Sequence, residues 1–335
     1  MNAFKSPPAR RSQRCAAAVA VGLIGLFAGC GGGGDAIAPG AVSAGLDLAA
    51  LPSPVATDST MSVAQSAAPR INLMQLPIGD YRYSSTRPAV GTVFVCSATF
   101  PGGGANVPGP WFNPNGTWNS VTKQRVRGAV QWWSNLWIGI NNNVRTIGGN
   151  GLPVHPTGVF PISPSDPAYA FDRNPNTISP QAIAFGLPPN PQVAPFPTCL
   201  PPGAIGVLLT GARLFNALDA GGRDAAAWEV LDDCEGHPEV SGQYHYHTVT
   251  RCGRPDQPGQ HSPLAGFAMD GFGIYGNLGE GGQPLTNFDL DDCHGHSHAL
   301  IVDGRPMVQY HYHATYEFPY TVGCLRATPP PRRGT

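Results

Sequence analysis

Two similar stretches in the C-terminal half of the chain consist of short apolar runs separated by turn residues. Residues 205–209 and 213–215 flank Thr-Gly-Ala, and residues 267–269 and 272–275 flank Asp-Gly. Apolar runs on either side of a glycine-containing turn are typical of β-hairpins. The sequence therefore predicts two hairpins in this half of the chain.

A longer motif follows each predicted hairpin in the same order. Residues 231–252 and 290–324 both contain Leu-Asp-Asp-Cys-x-Gly-His, then Tyr-His-Tyr-His, and finally another cysteine. Self-similarity at a fixed spacing indicates an internal repeat. We therefore expect duplicated hairpin and histidine-strand units, at residues 203–252 and 263–324, in a pseudo-twofold arrangement. The apolar faces of the two hairpins are expected to pack together and to bring both histidine strands to one shared cleft.

Further strands and one helix are predicted outside the hairpins and the histidine strands. Residues 92–98 and 124–133 are predicted strands, and residues 224–231, in which Asp224 precedes three alanines, form the predicted helix. The 36 prolines and 43 glycines indicate long ordered loops. The predicted fold is mainly β with long loops and one short helix.

The two Tyr-His-Tyr-His motifs are predicted to form metal sites. Successive side chains of a strand point to opposite faces, so the two histidines of each motif share one face. A third histidine stands upstream in each unit, and three neutral imidazoles with an open coordination position suit zinc, copper or iron. The predicted ligands are His237, His245, His247, His296, His311 and His313, and the further candidates are His155, His261, His294 and His298.

Acidic residues next to the histidines are expected to orient them. Asp232, Asp233, Asp291 and Asp292 could accept the free ring N–H of a ligating histidine and fix its tautomer. An alternative interpretation needs no metal, because the histidine rings could pack and hydrogen-bond within the domain as structural side chains.

Six cysteines remain when Cys15 and Cys30, which lie in or next to an export signal, are set aside. An even number of cysteines in an exported protein favours disulfides. Each unit has one cysteine before and one after its Tyr-His-Tyr-His, so the predicted pairs are Cys234–Cys252, Cys293–Cys324 and, by remainder, Cys96–Cys199. The alternative, in which Cys-x-x-His is a thiolate and imidazole half-site for a metal, is disfavoured by an oxidising compartment.

The N-terminus is predicted to be a bacterial export signal. Four basic residues precede an apolar run at residues 16–28, which is too short to span a bilayer as a helix. The run ends in Leu-Phe-Ala-Gly-Cys, so we expect a lipoprotein-type signal peptide at residues 1–30 with lipid on Cys30, a flexible tether at 31–69 and a β domain at 70–328. An ordinary cleaved signal is the alternative. The expected location is the outer membrane or cell surface, otherwise the periplasm or medium.

The charge of the chain limits the kinds of partner that it is expected to bind. The formal net charge is −1 and no basic run follows the signal, which argues against nucleic acid or a charged membrane surface as a partner. We expect a metal ion or a small molecule as the partner, and contact with a membrane only through the lipid at Cys30.

Several ordered motifs together resemble a bacterial family. They include Asn-Gly-Leu-Pro-Val-His-Pro-Thr-Gly at residues 150–158, His-Ser-Pro-Leu-Ala-Gly-Phe-Ala-Met-Asp-Gly at residues 261–271, both Asp-Cys-x-Gly-His steps and both Tyr-His-Tyr-His motifs. Over residues 145–324 the chain resembles the exported YHYH-domain proteins. The resemblance implies no activity, because the family name describes a sequence and not a function.

Three functions from different classes are compatible with these observations. The first is an exported, lipid-anchored protein that binds zinc or copper through its duplicated histidine clusters. The second is a metal-dependent hydrolase or oxidoreductase that uses the same histidines, although the chain contains no HExxH motif, nucleophile elbow, phosphate loop or dinucleotide fingerprint. The third is a disulfide-braced surface protein that binds a glycan or a protein and uses its histidines structurally.

Overall fold

A computed structural model describes residues 71–330 of the chain. The predicted signal peptide, the predicted tether and Cys30 lie outside these residues. Within residues 71–330, no helix is long and apolar enough to cross a lipid bilayer.

Short strands dominate the described structure. The strands that precede the repeated region are β1 (Leu76–Pro77), β2 (Tyr83–Ser84), β3 (Val93–Phe94), β4 (Thr117–Trp118), β5 (Trp137–Asn141), β6 (Val144–Gly149) and β7 (Ile183–Leu187). They form two-stranded sheets β1-β4 and β2-β3 and a three-stranded sheet β5-β6-β7. Single 3₁₀ turns occur at Pro167–Ala170, Glu280–Gly282 and Asn287–Asp289.

The repeated region supplies every strand of a larger sheet. Its elements are β8 (Ala204–Leu208), β9 (Arg213–Phe215), helix α1 (Ala225–Trp228), β10 (Gly236–Pro238), β11 (Tyr244–Tyr246), β12 (Leu264–Ala268), β13 (Gly273–Tyr275), β14 (Gly295–Val302) and β15 (Arg305–His313). The predicted hairpins are therefore β8-β9 and β12-β13. The prediction of a mainly β, disulfide-braced fold with one short helix is confirmed for the described residues.

The eight-stranded sheet has the same topology when it is followed from either edge. Its order is β10-β11-β9-β8-β12-β13-β15-β14. The two central strands, β8 and β12, are antiparallel, and each histidine strand pairs in parallel with its own hairpin, β11 with β9 and β15 with β13. The outer strands β10 and β14 pair antiparallel with the histidine strands. The two halves of the sheet thus have the same strand order and the same pairing directions.

The prediction of one shared cleft is wrong. The hairpins meet edge to edge through hydrogen bonds between β8 and β12, instead of stacking their apolar faces. Four strands lie between β11 and β15. The two histidine strands are therefore five strand spacings apart, and at about 4.8 Å per spacing this is roughly 24 Å. The two histidine strands therefore lie toward opposite edges of the sheet.

Two upstream predictions are also too long. Only Val93–Phe94 of the predicted strand at 92–98 is a strand, and residues 124–133 form only isolated bridges at Val126 and Val130. Gly128 interrupts this stretch with a φ of 150°, and its backbone packs so closely against Val159 that a Cβ would lie 2.7 Å from the Val159 nitrogen. A residue with a side chain could not continue a regular strand there.

Helix α1 is shorter than predicted. Asp224 caps it by accepting a hydrogen bond from the Ala227 N–H, as expected, but the helix ends at Trp228 because Glu229 already has an extended conformation with φ −73° and ψ 136°. The early end of the helix allows the Glu229 side chain to turn toward the histidines of the same unit.

The tyrosines of the repeated motifs occupy the core side of the sheet. Tyr244 and Tyr246 are fully buried. The Tyr244 hydroxyl donates to the Asp232 carboxylate at 2.9 Å, and in the second unit the Tyr310 hydroxyl donates to Asp291 at 2.9 Å. Because the tyrosines face the core, the histidines that alternate with them must face the other side.

Three disulfides join the cysteine pairs that the sequence predicts, Cys96–Cys199, Cys234–Cys252 and Cys293–Cys324. Cys234 and Cys293 therefore offer no thiolate, and the alternative Cys-x-x-His half-sites are not formed. The two later disulfides each connect the loop before a histidine strand to the segment that follows it.

Asp232 should contribute much more to stability than its neighbour in the chain. Besides Tyr244, its carboxylate accepts hydrogen bonds from the backbone N–H groups of Cys234 and Gly236, and Asp232→Ala would leave these buried donors without an acceptor. We expect the free energy of unfolding to fall by at least about 2 kcal/mol, measured by guanidinium denaturation with the disulfides intact. The exposed Asp233 is the matched control, and Asp233→Ala should change it by less than about 0.5 kcal/mol. Equal losses in the two variants would contradict this role.

Candidate metal centres

Three histidines of the first unit lie close together near one edge of the sheet and are called the first centre: His237, His245 and His247. Strands β10 and β11 place His237 directly opposite His245. The Nε2 atom of His247 lies 3.3 Å from Nε2 of His237 and 3.2 Å from Nε2 of His245. Two nitrogens bound to one zinc ion at about 2.0–2.1 Å would be about 3.0–3.4 Å apart, so these spacings fit a common metal ion.

Backbone carbonyls determine which ring nitrogens face the centre. Nδ1 of His245 donates to the Gln243 carbonyl at 3.1 Å, and Nδ1 of His247 donates to the Asn216 carbonyl at 2.6 Å. A carbonyl only accepts hydrogen bonds, so Nδ1 carries a proton in each ring, and in the neutral imidazole the Nε2 lone pair is free. Between two neutral rings, the 3.2 Å contact of these Nε2 atoms contains no proton.

Glu229 adjoins the first centre, and the sequence analysis did not identify it. Its Oε2 atom lies 3.2 Å from Nε2 of His237 and 3.3 Å from Nε2 of His247. The repeat offered no signal for it, because the corresponding position of the second unit is Phe288, which is exposed. The early end of helix α1, which a sequence pattern does not reveal, brings this carboxylate to the histidines.

The electrostatics of the first centre are dominated by burial and by Glu229. Burial lowers the pKa of His245 well below its ordinary value, and the neighbouring histidines lower it further. Burial also acts to lower the pKa of His237, but the carboxylates of Glu229 and Asp172 offset this effect and the pKa is raised overall. Burial acts to raise the pKa of Glu229, yet His237 and His247 hold it well below its ordinary value. The centre therefore combines a buried carboxylate with a neutral imidazole.

Five histidines of the second unit form the second centre: His261, His296, His298, His311 and His313. One nitrogen from each lies within 4.8 Å of the corresponding nitrogen of every other. Nε2 of His313 is 3.0 Å from Nε2 of His261 and 3.1 Å from Nε2 of His311. The Nε2 atoms of His296 and His298 are buried and have no hydrogen-bond partner within residues 71–330.

The second centre uses the same backbone anchors as the first. Nδ1 of His311 donates to the Gln309 carbonyl at 3.0 Å and Nδ1 of His313 to the Gly276 carbonyl at 2.7 Å, at the positions that Gln243 and Asn216 occupy in the first unit. His261 and His298 donate from Nδ1 to the carbonyls of the residues that follow them, at 2.7 and 3.0 Å. In their neutral forms, four of the five rings thus direct a free Nε2 lone pair toward the same small volume.

Three imidazoles of the second centre are held neutral. Burial lowers the pKa of His311 to about 3, that of His313 to about 2 and that of His296 to about 4, and the positive charges of neighbouring histidines would lower each further. Neutral imidazole is the form that binds metal ions. At neutral pH no proton needs to leave these three rings before they can act as ligands.

The structure therefore brings eight of the ten candidate histidines into two groups and leaves two outside. Nε2 of His155 forms a hydrogen bond with the Tyr246 hydroxyl, 2.6 Å away, and Nδ1 forms one with the Pro156 carbonyl. His294 is buried and contacts the Thr315 hydroxyl at 3.0 Å. Both contact protein hydroxyls, and neither is part of a histidine cluster.

The expectation that the paired aspartates orient the histidines is wrong. Asp232 and Asp291 accept hydrogen bonds from tyrosine hydroxyls and from backbone N–H groups of the turns that follow them. Asp233 is exposed, and no described hydrogen bond joins Asp233 or Asp292 to a histidine. Asp232 and Asp291 lie on the tyrosine side of the sheet, and the histidines alternate with those tyrosines and face the other side. Backbone carbonyls take the orienting role instead.

A cavity of about 970 Å³ opens next to the first centre. The three histidines and Glu229 form part of its wall, together with aromatic rings and a glycine-rich loop. The lining includes His237, His245, His247, Glu229, Phe100 and Phe215. A ligand in this cavity would lie against the donor atoms of the first centre.

Comparison with known proteins gives one match. Residues 184–284 match the family model described as YHYH protein. The matched region includes every residue of the first centre and His261, and it ends before the other four histidines of the second centre. No curated protein and no solved structure matches the chain.

Proposed function

This chain contains a YHYH-family domain, and we propose that the domain binds transition-metal ions, zinc or copper, at both histidine centres. The proposal assigns one ion to the first centre and one to the second. The YHYH family match carries no activity with it, so the support comes from the chemistry of the two clusters.

One observation carries the proposal. In both centres, neighbouring Nε2 atoms approach to 3.0–3.2 Å although their rings already donate from Nδ1 to backbone carbonyls. When the rings are neutral, two lone pairs face each other at this distance and repel each other, so the arrangement is unfavourable unless a cation is shared. A metal ion at the point of convergence would convert each lone pair into a coordinate bond.

The interpretation of the histidines as purely structural explains this geometry less well. A structural imidazole normally satisfies both ring nitrogens with protein or water partners, as His155 does in this domain. In the second centre the buried Nε2 atoms of His296 and His298 have no hydrogen-bond partner among the described residues. Unsatisfied buried nitrogens that point at a common site favour an ion at that site.

The types of donor atom narrow the choice of metal. Imidazole nitrogen suits zinc and copper, whereas magnesium and calcium prefer oxygen ligands. The first centre adds the carboxylate of Glu229 to its imidazoles, a combination found in zinc sites. The second centre offers imidazoles alone, a set that copper(II) also accepts.

The amount of bound metal in suitable variants should distinguish the two centres. We expect chelator-stripped protein that is reloaded with zinc or copper and desalted to hold two equivalents by elemental mass spectrometry. The variants His245→Ala/His247→Ala and His311→Ala/His313→Ala should each hold one equivalent, and the combined variant none, because each pair supplies donors to one centre only. The disulfides should keep each variant folded, which circular dichroism would check.

His294→Asn is the matched control for the metal measurement. His294 lies on the second unit's Cys-x-Gly-His step but outside the cluster, and asparagine tolerates the positive φ of 74° at this position. This variant should hold two equivalents. A wild-type protein that holds less than about a tenth of an equivalent would refute the proposal, since a site of this donor set binds zinc tightly at neutral pH, and would leave a glycan-binding or protein-binding role with structural histidines.

Export and lipid attachment are also part of the proposal. The basic N-terminus, the apolar run at residues 16–28 and the Leu-Phe-Ala-Gly-Cys sequence that ends at Cys30 support a lipoprotein-type signal. The compartment fits three disulfides, which form and persist in oxidising environments. The domain would then act at the outer membrane or cell surface, attached by lipid alone.

Substitution of Cys30 tests the lipid anchor. Cys30→Ser should move the protein from the membrane fraction to the soluble periplasmic or secreted fraction of bacterial cells, because no acyl chain can be attached. Cys15→Ser, which alters a cysteine ahead of the apolar run, is the control and should leave the protein membrane-bound. Recovery of the wild type itself in the soluble fraction would exclude the anchor and would favour an ordinary cleaved signal.

A further inference from the structure

The two centres differ in what surrounds them, and this difference carries an inference that rests on the proposed metal binding. We infer that the first centre binds a small organic molecule that places an oxygen donor on the metal ion and an apolar ring in the adjoining cavity. The second centre has no such role.

The size of the cavity suits an organic ligand. Sites for small organic molecules and cofactors typically enclose about 300–1,000 Å³, and the cavity at the first centre measures about 970 Å³. It is therefore far larger than a metal ion with its bound water requires. A site built only to store or carry an ion would need no such space.

Aromatic rings form the wall closest to the histidines. Phe215 stacks on the His245 ring with a centroid distance of 4.0 Å and an interplanar angle of 27°. Phe100 and Phe171 also line the cavity, and all three phenylalanines are only partly buried. Partly exposed rings beside a cavity offer a surface on which an apolar or aromatic ring can pack.

The acidic side chains of the lining are already engaged by the protein. Asp172 accepts hydrogen bonds from the backbone N–H groups of Asn174 and Val230. Asp219 pairs with Arg223 at 2.6 Å, and Glu239 accepts from the Ser241 backbone N–H. These engaged groups do not call for a cationic ligand.

Glu229 is placed to contact a donor group on the ligand. Its Oε2 atom faces His237 and His247, and on the other side the backbone at Gly104 passes so near that a Cβ there would lie 3.1 Å from Oε1. Gly104 has a φ of 74°, which glycine adopts without strain. The loop thus reaches the carboxylate without filling the cavity, and a hydroxyl bound to the metal could donate a hydrogen bond to Glu229.

The second centre lacks these features. The histidines of the second centre line neither this cavity nor the cavity of about 710 Å³ that lies beside Lys123 and Tyr320. Its five imidazoles can also fill the coordination positions of one ion by themselves. An open coordination position beside a cavity of this size is therefore expected at the first centre.

Cobalt(II) and two hydroxamates test the inference. The His311→Ala/His313→Ala variant retains only the first centre, and its cobalt(II) absorption bands would be titrated with acetohydroxamate and with benzohydroxamate. These probes share a metal-binding group and differ in the ring. We expect benzohydroxamate to bind at least about tenfold more tightly, a difference of about 1.4 kcal/mol, because its ring packs on the phenylalanines. The reciprocal His245→Ala/His247→Ala variant should show no such preference.

A variant pair connects the preference to the cavity. Phe100→Ala removes an aromatic wall without touching a metal ligand and should reduce the preference for benzohydroxamate to less than about threefold. Phe196→Ala is the matched control, because Phe196 is 83 % exposed and does not line the cavity, and should leave the preference unchanged. Cobalt binding with equal affinity for the two hydroxamates would overturn the inference while metal binding stands. Failure to bind cobalt at all would overturn both.

Discussion

The register of the two Tyr-His-Tyr-His strands is the constraint on which both centres depend. A strand exposes alternate residues to opposite faces, and a slip of one residue would exchange every tyrosine with a histidine. The register is held on the core side by tyrosine hydroxyls that donate to buried acids, as Tyr244 does to Asp232 and Tyr312 to Asp270. On the other side, parallel pairing with β9 or β13 brings a backbone carbonyl to the second histidine. The histidines converge because the tyrosines cannot leave the core.

The two units share this framework but differ in the residues added to it. The first unit adds the carboxylate of Glu229 and a cavity, whereas the second adds the imidazoles of His261 and His298. At the position of His298 the first unit has Glu239, which instead accepts hydrogen bonds from the turn at Ser241. A repeated scaffold that supplies three imidazoles in each unit therefore supports two centres of different donor composition. This difference is the basis for assigning ligand binding to the first centre only.

Much of the framework could be read from the sequence, and the limits of that reading have physical causes. The hairpins and the cysteine pairs followed from turn residues and from the repeat, which are local signals. Glu229 was missed, and His261 was only a further candidate. Neither residue is repeated in the other unit, and tertiary folding brings each to its centre. The aspartates were assigned to the wrong side of the strand, since sequence proximity to a histidine does not reveal which face a turn residue reaches. The shared cleft was wrong because apolar hairpins can join edge to edge as well as face to face, and the pattern of apolar residues is the same in both cases.

X-ray absorption at the zinc edge would report directly whether the converging histidines bind the ion. Zinc-loaded protein is expected to have a first shell of nitrogen and oxygen at about 2.0–2.1 Å, with the outer-shell scattering that imidazole rings produce and no sulfur at about 2.3 Å. Because the cysteines next to the histidines are all in disulfides, sulfur should be absent. A sulfur shell, or a spectrum without imidazole scattering, would contradict the claim that the converging histidines are metal centres.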